Sequence, residues 1–345
     1  MTLIFCDGFD HYSTTEVNEK WTAQSGTPVI SGSFARNGAG GLECAFGDYI
    51  RMDFGDSASI SASSFTSIIV AFAHKQTSTA TSQFIRFGGN GTDATYFYMT
   101  HATGGTEVYT GNVRRARFKI NDQDTNWHFY EIKANINTTT GIGDLVVRID
   151  GEEAVNLSNT PFAYTNTTVT AFEFVDLYTS STACYYDDFY ILDRSTAPNN
   201  DFIGEVRIES LLPDGTTSTN TDFTPSAGSN YQNVDETPPN GDTDYNSSST
   251  ANDMDTHTTA GLTGPASVKN IYGVQVNTWS RKTDASARDV AAVVFSNATT
   301  VSGDSIPVTQ TYNFYFDNWE TDPDTSVAWT ESGVNSAEFG YEVSL

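Results

Sequence analysis

The chain has 345 residues, with 17 Lys and Arg against 43 Asp and Glu, so its formal net charge is −26. Phosphate backbones and anionic lipid surfaces repel so acidic a chain, and this argues against nucleic acid and membrane partners. Because 38% of the residues are hydrophobic, 13% are aromatic and only 17% are charged, the composition also excludes a mainly disordered chain and a miniature stapled scaffold.

The N-terminal segment MTLIFCDGFDHY has no basic region followed by an apolar run and a small-residue cleavage site. We therefore expect no signal peptide, and folding in a cytoplasm. The three cysteines, Cys6, Cys44 and Cys184, are odd in number and lack metal-binding spacing, which favours buried, reduced thiols. A disulfide between Cys6 and Cys44 stays open as an alternative.

Short runs rich in β-branched and aromatic residues alternate with clusters of Gly, Asn, Asp, Ser and Thr, and helical periodicity is nearly absent. This pattern predicts an all-β protein whose N-terminal part is a sandwich of many short strands. The predicted strands in this part are 2–5, 49–54, 67–74, 83–87, 95–100, 107–110, 115–120, 127–136, 144–149, 171–178 and 185–192.

A polar stretch, STAPNN, interrupts the strand pattern at 195–200 and predicts a domain boundary there. We therefore expect one domain over 1–195 and a second over 196–345. In the second domain an irregular acidic segment, 213–265, is too long for an ordinary loop, so we expect it to lie extended along a neighbouring surface or to be mobile. Predicted strands resume at 268–279, 289–295, 309–319 and 337–343.

The strand sequences of the first part resemble those of a known family. FIRFGGNG, TYFYMTHATGG, EVYTG, WHFYEI, DLVVRIDGEEA and YYDDFYILD, in this order, resemble the concanavalin A-like (laminin G-like) jelly roll. The opening FCDGFDHY, together with Trp21, is similar to the start of microbial and viral versions. The resemblance covers 1–194 and implies an N-terminal concanavalin A-like β-sandwich (jelly roll) followed by a second β-rich domain.

The second part resembles another family. IGEVRIESLLPDG, YQNVDETPPNGDTDYN, NIYGVQVNTWSRKTDASARDVAAVV and SVAWTESGVNSAEFGYEV are similar to a C-terminal module of tailed-bacteriophage virion proteins. The resemblance implies a structural component of the tail, fibre, baseplate or capsid decoration. It also implies other virion proteins and further copies of this chain as partners, and a virion location after assembly in the host cytoplasm.

Catalytic motifs are sparse. A glycoside hydrolase on such a sandwich needs two carboxyl groups about 5–5.5 Å or about 6.5–9.5 Å apart, and residues on one strand face have even spacing. Glu173 and Asp176 have odd spacing, which directs them to opposite faces. With no G-x-S-x-G motif and only scattered histidines, we predict no catalytic residues and a chain that is not an enzyme.

Two groups of acidic residues are candidates for structural or metal-binding roles. Asp187 and Asp188 precede an apolar strand, and we expect an inward carboxylate there to accept hydrogen bonds from the backbone of a nearby turn. Four further residues are candidates for calcium ligands, because three of them stand at D-x-D-x-N spacing and the fourth is an aspartate at the twelfth position of the same loop. The loop lacks the sixth-position glycine and the final glutamate of an EF-hand. These candidates are Asp242, Asp244, Asn246 and Asp253. We expect no other cofactor.

The basic stretch VRRARFKI alternates with apolar residues, which predicts that Arg115, Arg117 and Lys119 share one strand face. That face is either solvated or a subunit interface that meets an acidic neighbour. Taken together, the sequence favours a non-enzymatic virion component that acts through assembly. A carbohydrate-binding module for a host surface glycan is the alternative, and a glycoside hydrolase is the third hypothesis.

Overall fold

The computed structural model describes residues 2–89, 94–119, 124–162, 170–215, 217–262 and 270–344. The chain divides into two compact units, 2–208 and 209–345. Both consist mainly of β-strands, so the predicted all-β class is confirmed. No helix in the described part of the chain is long and apolar enough to cross a membrane.

The first unit is an antiparallel β-sandwich with a jelly-roll-like arrangement. Between its first strands lie the short helix α1 (Val17–Lys20) and two 3-10 turns, Thr14–Glu16 and Gly32–Phe34. The strands in chain order are β1 (Leu3–Asp7), β2 (Ala23–Ser25), β3 (Val29–Ile30), β4 (Leu42–Cys44), β5 (Tyr49–Asp53), β6 (Ser67–Gln76), β7 (Ser82–Gly89), β8 (Ala94–Ala102), β9 (Gly105–Thr110), β10 (Val113–Phe118), β11 (His128–Asn135), β12 (Ile142–Ile149), β13 (Glu152–Pro161), β14 (Phe174–Tyr178) and β15 (Cys184–Asp193).

Two sheets form this sandwich within the described residues. One has eight strands, in the order β13-β12-β11-β6-β15-β4-β3, with β1 also paired to β15. The other has seven, in the order β10-β9-β8-β7-β14-β5-β2. Their facing sides are filled by aromatic rings: Phe72 stacks on Tyr130 at 5.5 Å between ring centroids, and Phe87 on Phe97 at 4.2 Å. Such close-packed rings make the sandwich core.

The central strand β6 is apolar on both faces, which is typical of a strand covered on both sides. Its outward residues Ile69, Ala71 and Ala73 belong to a buried cluster on the outer side of the eight-stranded sheet. Residues 202–208 cover this cluster with Phe202, Ile203, Val206 and Ile208. The first unit therefore extends to Ile208, beyond the predicted boundary at residue 195, because these apolar side chains complete its packing.

The opening FCDGFDHY forms a buried polar centre around Asp7, at the end of β1. Asp7 accepts hydrogen bonds from the Phe9 backbone N–H (2.8 Å), the Tyr12 hydroxyl (2.7 Å) and Trp21 Nε1 (2.8 Å). Burial raises the pKa of Asp7, while the nearby Lys20 opposes that shift. Because one carboxylate ties three segments together, this motif organises the fold at the N-terminus.

Two histidines lie inside the sandwich and make its stability dependent on pH. His74 and His101 stack at 5.4 Å and are almost fully buried. Burial lowers the pKa of His101 to about 3, and it lowers the pKa of His74 well below the usual value. Between pH 6.5 and 3 these two histidines therefore bind more protons in the unfolded chain than in the folded one. We expect their contribution to the free energy of unfolding to fall on acidification, by up to about 1.4 kcal/mol per pH unit for each histidine.

The test compares wild type with His101→Gln in thermal unfolding of the full chain at about pH 7 and pH 4. The loss of stability on acidification should be smaller in the variant. His128→Gln is a control of opposite sign: although burial opposes it, Asp150 and Asp124 raise the pKa of His128, so this residue stabilises the folded state on the acid side. Equal acid sensitivity of wild type and His101→Gln would show that the buried histidine is not responsible.

The second unit contains a 3-10 turn at Asn230–Asn233, the helix α2 (Glu331–Ser336) and the remaining strands. These strands are β16 (Thr224–Pro225), β17 (Asn246–Ser247), β18 (Met254–His257), β19 (Val274–Ser280), β20 (Asp289–Ser296), β21 (Thr299–Ser302), β22 (Ile306–Pro307), β23 (Asn313–Trp319) and β24 (Glu338–Val343). The main sheet has the order β18-β24-β20-β21, with β22 also paired to β20, and the pairs β19-β23 and β16-β17 form two-stranded sheets.

The described part of the irregular acidic segment 213–265 is folded within the second unit. It contributes β16, β17 and β18, and it is held by isolated bridges such as Thr221 to Asp255. The buried carboxylate of Glu338 accepts hydrogen bonds from the backbone N–H and the hydroxyl of Thr219 (2.7 Å each). Side-chain acceptors thus replace long strand ladders in the described part of this segment, which explains why it lacks a strand pattern. Its mobility and its contact with a neighbouring surface stay predictions.

Candidate functional site

The outer face of the seven-stranded sheet carries six side chains at one register, which we name the outer row. Each member is the cross-strand partner of the next, and the row crosses six strands, or about 24 Å at the usual strand spacing. Residues on either side of its members, such as Ile50, Ile85 and Phe97, are fully buried in the core, so the row lies on the opposite face. The outer row consists of Arg51, Asp176, Arg86, Tyr98, Tyr109 and Arg114.

Asp176 fixes two arginines of the outer row. Its carboxylate, which has no exposed surface, pairs with Arg51 Nε (2.6 Å) and with Arg86 Nε. The guanidinium of Arg51 also lies 3.9 Å from the ring centroid of Phe174, and that of Arg86 lies 4.2 Å from the ring centroid of Tyr178. Because ring faces and one buried charge hold both guanidiniums, they are preorganised on this face.

At the other end of the outer row, Glu107 has the same organising role. Its carboxylate accepts a hydrogen bond from the Tyr109 hydroxyl. The same carboxylate forms an ion pair with Arg114 Nη1 at 2.7 Å, and Arg117 Nε lies 3.6 Å from it. The Tyr109 hydrogen bond holds the pKa of Glu107 below its usual value, and the same bond raises the pKa of Tyr109 to about 12. Glu107 is therefore ionised and Tyr109 protonated at neutral pH.

Two half-buried tyrosines join these charged ends. The rings of Tyr98 and Tyr109 stack with centroids 4.5 Å apart and planes within 9° of parallel. Tyr98 is also the register partner of Arg86, so the aromatic pair continues the line of guanidiniums without a break. The face thus combines fixed cations, hydroxyls and aromatic surface, which suits recognition of a polar polymer.

Sequence reasoning missed the outer row. Glu173 and Asp176 were the carboxylates considered for catalysis, but Asp176 is committed to two arginines and Glu173 precedes β14. A signal was present: the motifs YIRMD, FIRFG, FVDLY and YFYMT each place one polar or tyrosine side chain between apolar neighbours. That alternation identifies outward positions, but the alignment of the strands depends on pairings between residues far apart in sequence.

The prediction that Arg115, Arg117 and Lys119 share one face is wrong. A β-bulge shifts the register between Arg114 and Ala116, so Arg115 is the extra residue. Arg115 turns away and donates to the hydroxyl of Thr110 (2.7 Å). Arg117 instead lies opposite Glu107, and Lys119 follows the end of β10. A role of these residues in a subunit interface stays a prediction.

The structure does not bring the four calcium candidates together. Asp242, Asp244, Asn246 and Asp253 each take part in a separate hydrogen-bond network. Asp242 bonds to Arg281 and Tyr312, and Asp244 bonds to Asn240. Asn246 bonds to Asn230 and Tyr341, and Asp253 bonds to Ser248. Among the described residues, no three His, Cys, Asp or Glu side chains are grouped in a way that suits a metal ion.

Asp187 and Asp188 are both buried, because a bulge follows Asp187 in its pairing with β6. Asp187 accepts hydrogen bonds from the backbone N–H groups of Arg36 (2.7 Å) and Asn37 (3.2 Å), which is the turn-binding role expected for an inward carboxylate. Burial and the neighbouring Asp188 raise the pKa of Asp187 to about 8. This pair therefore has a structural role in holding the 36–37 turn.

The three cysteines are free. Cys6 on β1 lies opposite Tyr190, whereas Cys44 on β4 lies opposite Cys184. The alternative of a Cys6–Cys44 disulfide is therefore not realised, because the two residues pair with different parts of β15. Burial raises the pKa of the Cys6 and Cys184 thiols to about 12, consistent with inert thiols in the core.

No protein-family model matches the sequence, and no curated protein matches it. The similar solved structures include an endo-β-1,4-glucuronan lyase from the fungus Trichoderma reesei, at 10% identity and a TM-score of 0.36, covering 50% of this chain and 90% of that one. A carbohydrate esterase from the Shiga toxin-encoding bacteriophage phi24B has 11% identity and a TM-score of 0.34, covering 55% and 99%. The binding domain of botulinum neurotoxin DC, in complex with rat synaptotagmin II, has 8% identity and a TM-score of 0.38, covering 94% of each chain.

The prediction that the chain is not an enzyme is not sustained. It rested on missing hydrolase motifs alone, whereas the similar structures include a glucuronan lyase and a carbohydrate esterase. The odd spacing of Glu173 and Asp176 concerns the two-carboxylate hydrolase mechanism only. At these identities the likenesses concern the fold and assign no activity to this chain.

Proposed function

We propose that the outer row binds a polysaccharide and that the chain is a component of a tailed-phage virion that contacts a host surface glycan. The observation that supports this best is the outer row itself. It is about 24 Å long, so it suits an extended polymer better than a single sugar. Its charged, hydroxyl and aromatic groups are held in place by Asp176 and Glu107 before any ligand arrives, which reduces the cost of binding.

The virion role is supported by the second part of the chain. Its motifs, including YQNVDETPPNGDTDYN and SVAWTESGVNSAEFGYEV, resemble a module of tailed-phage virion proteins. In such a particle the second unit would attach the chain to its neighbours and the first would present the glycan-binding face. Locating this chain in a map of an intact particle tests the proposal, and absence of the chain from purified particles contradicts it.

Tyr98→Ala is expected to weaken polysaccharide binding about tenfold or more, because it removes an aromatic surface from the middle of the outer row. The measurement is binding of the full chain to a glycan array, followed by titration of the best polymer. Tyr98→Phe keeps the ring and should lose less. Tyr245→Ala, an exposed tyrosine of the second unit, is the matched control and should bind as wild type does.

Circular dichroism of each variant separates a binding defect from misfolding. If no polymer binds, or if folded Tyr98→Ala binds as tightly as wild type, the proposed function is wrong. The same incubations are assayed for new reducing ends and for the ultraviolet absorbance of unsaturated sugars. Either product would show that the chain cleaves the polymer as well as binding it.

A further inference from the structure

We infer that the polymer bound at the outer row is an acidic polysaccharide whose carboxylates pair with guanidinium groups of this face; this inference rests on the proposed function. The argument begins with charge. At one end of the row, Arg51 and Arg86 share the single buried carboxylate of Asp176. Asp53, the next outward residue of β5, is a second acid near Arg51, so the charges at this end nearly balance and the excess of positive charge lies at the other end.

The other end also places two arginines about one carboxylate. Arg114 and Arg117 both approach Glu107, whose side chain is only 8% exposed. The two arginine side chains are 54% and 40% exposed, so their remaining donors reach solvent. A guanidinium presents several N–H donors in a planar fork that matches a carboxylate, and Arg114 uses only part of that fork on Glu107.

The positive charge of this face is notable against the rest of the chain. The formal net charge is −26, and 43 acidic residues outnumber 17 basic ones. Four of the 17 lie on this one sheet face, where the described strands carry three outward carboxylates, those of Asp53, Asp176 and Glu107. An anionic ligand is therefore attracted to the outer row and repelled by the acidic remainder, which directs it to this face.

The spacing of the charges favours a carboxylated glycan over nucleic acid. Duplex DNA carries about one charge per 1.7 Å, and proteins that bind it neutralise many phosphates. The outer row instead has arginines at two places, Arg86 and Arg114, separated by three strand spacings, or about 14 Å, with Tyr98 and Tyr109 between them. Widely spaced single charges along a hydroxyl-rich chain fit this pattern.

The experiment compares acidic polymers with their uncharged derivatives. The probes are alginate and polygalacturonate, each in native form and after chemical reduction of its carboxyl groups, titrated against the full chain. We expect at least one native polymer to bind, its reduced form to bind about tenfold more weakly, and binding of the native form to weaken as salt is raised.

The variant Arg114→Gln with Arg117→Gln should reduce binding of the native polymer about tenfold and leave binding of the reduced form unchanged. Arg288→Gln is the matched control, since it removes a partly exposed arginine of the second unit whose nearest acid lies 3.8 Å away. It should not change either affinity.

The outcomes separate the two proposals. Equal binding of native and reduced polymers, or binding on the glycan array to neutral polymers only, overturns the inference but leaves the proposed function standing. Failure to bind any acidic or neutral polymer overturns both. Unchanged binding by the double arginine variant overturns the inference even if the native polymer is preferred, because the preference then arises elsewhere.

Discussion

Asp176→Asn should destabilise the first unit by about 3 kcal/mol and abolish ligand binding at the outer row. The substitution keeps the shape of the side chain but removes the charge that two arginines share in a fully buried position. Removing one partner of a buried ion pair is costly because the remaining charges lose their compensation. Urea unfolding of the full chain, followed by tryptophan fluorescence, measures the change.

A compensated variant separates the two effects of Asp176. The triple variant Arg51→Gln, Arg86→Gln and Asp176→Asn removes all three charges of this cluster together. We expect it to recover most of the lost stability while binding stays weak, since a buried ion network can often be replaced by neutral side chains. A single Asp176→Asn variant as stable as wild type would contradict this account.

Asp7→Ala should cost a similar amount, about 3 kcal/mol, at the N-terminal end of the sandwich. The change removes the acceptor of the Phe9 backbone N–H and of the Tyr12 hydroxyl, and the shorter of two hydrogen bonds of the Trp21 indole N–H, which also reaches the Tyr12 hydroxyl at 3.1 Å. Each buried donor without a partner costs about 1–3 kcal/mol, although local rearrangement recovers part of this. The free energy of unfolding of the full chain is again the measurement.

Tyr12→Phe provides the graded comparison for Asp7→Ala. It removes one of the three donors to Asp7 and the longer of the two hydrogen bonds of the Trp21 indole N–H, but leaves the Asp7 carboxylate in place, so we expect a loss of only about 1 kcal/mol. If both substitutions cost the same, the hydrogen bond from Tyr12 would account for the entire effect, and the idea that Asp7 joins three segments would be wrong.

Many strands of the first unit could be predicted from sequence because their residues alternate or form apolar runs, but β2, β3, β4 and the ten-residue β13 were missed. β6 (Ser67–Gln76) and β15 (Cys184–Asp193) both begin close to the predicted positions. The bulges could not be predicted. Nothing in VRRARF indicates that Arg115 is the extra residue, and in YYDDFYILD the shift after Asp187 changes which carboxylates are buried. Bulges depend on the partner strand, which a single sequence does not identify.

The outer row could not be predicted from the sequence for a related reason. Asp176 meets Arg51 and Arg86 only because β14 lies between β5 and β7, a strand order that joins residues about 90 to 125 positions apart. Local alternation indicates that each residue points outward but carries no information on its neighbour across the sheet. The candidate site is therefore a property of the topology.

The covering segment formed by residues 202–208 has a practical consequence for the isolation of the first unit. Ending a fragment at residue 195 would uncover Ile69, Ala71 and Ala73, and apolar sheet surface of that kind promotes self-association. A fragment ending after Ile208 keeps both the cover and the bond from the Ile208 amide to Asp188 (2.8 Å). The shortest well-behaved fragment of the first unit thus ends after a stretch that has no strand of its own.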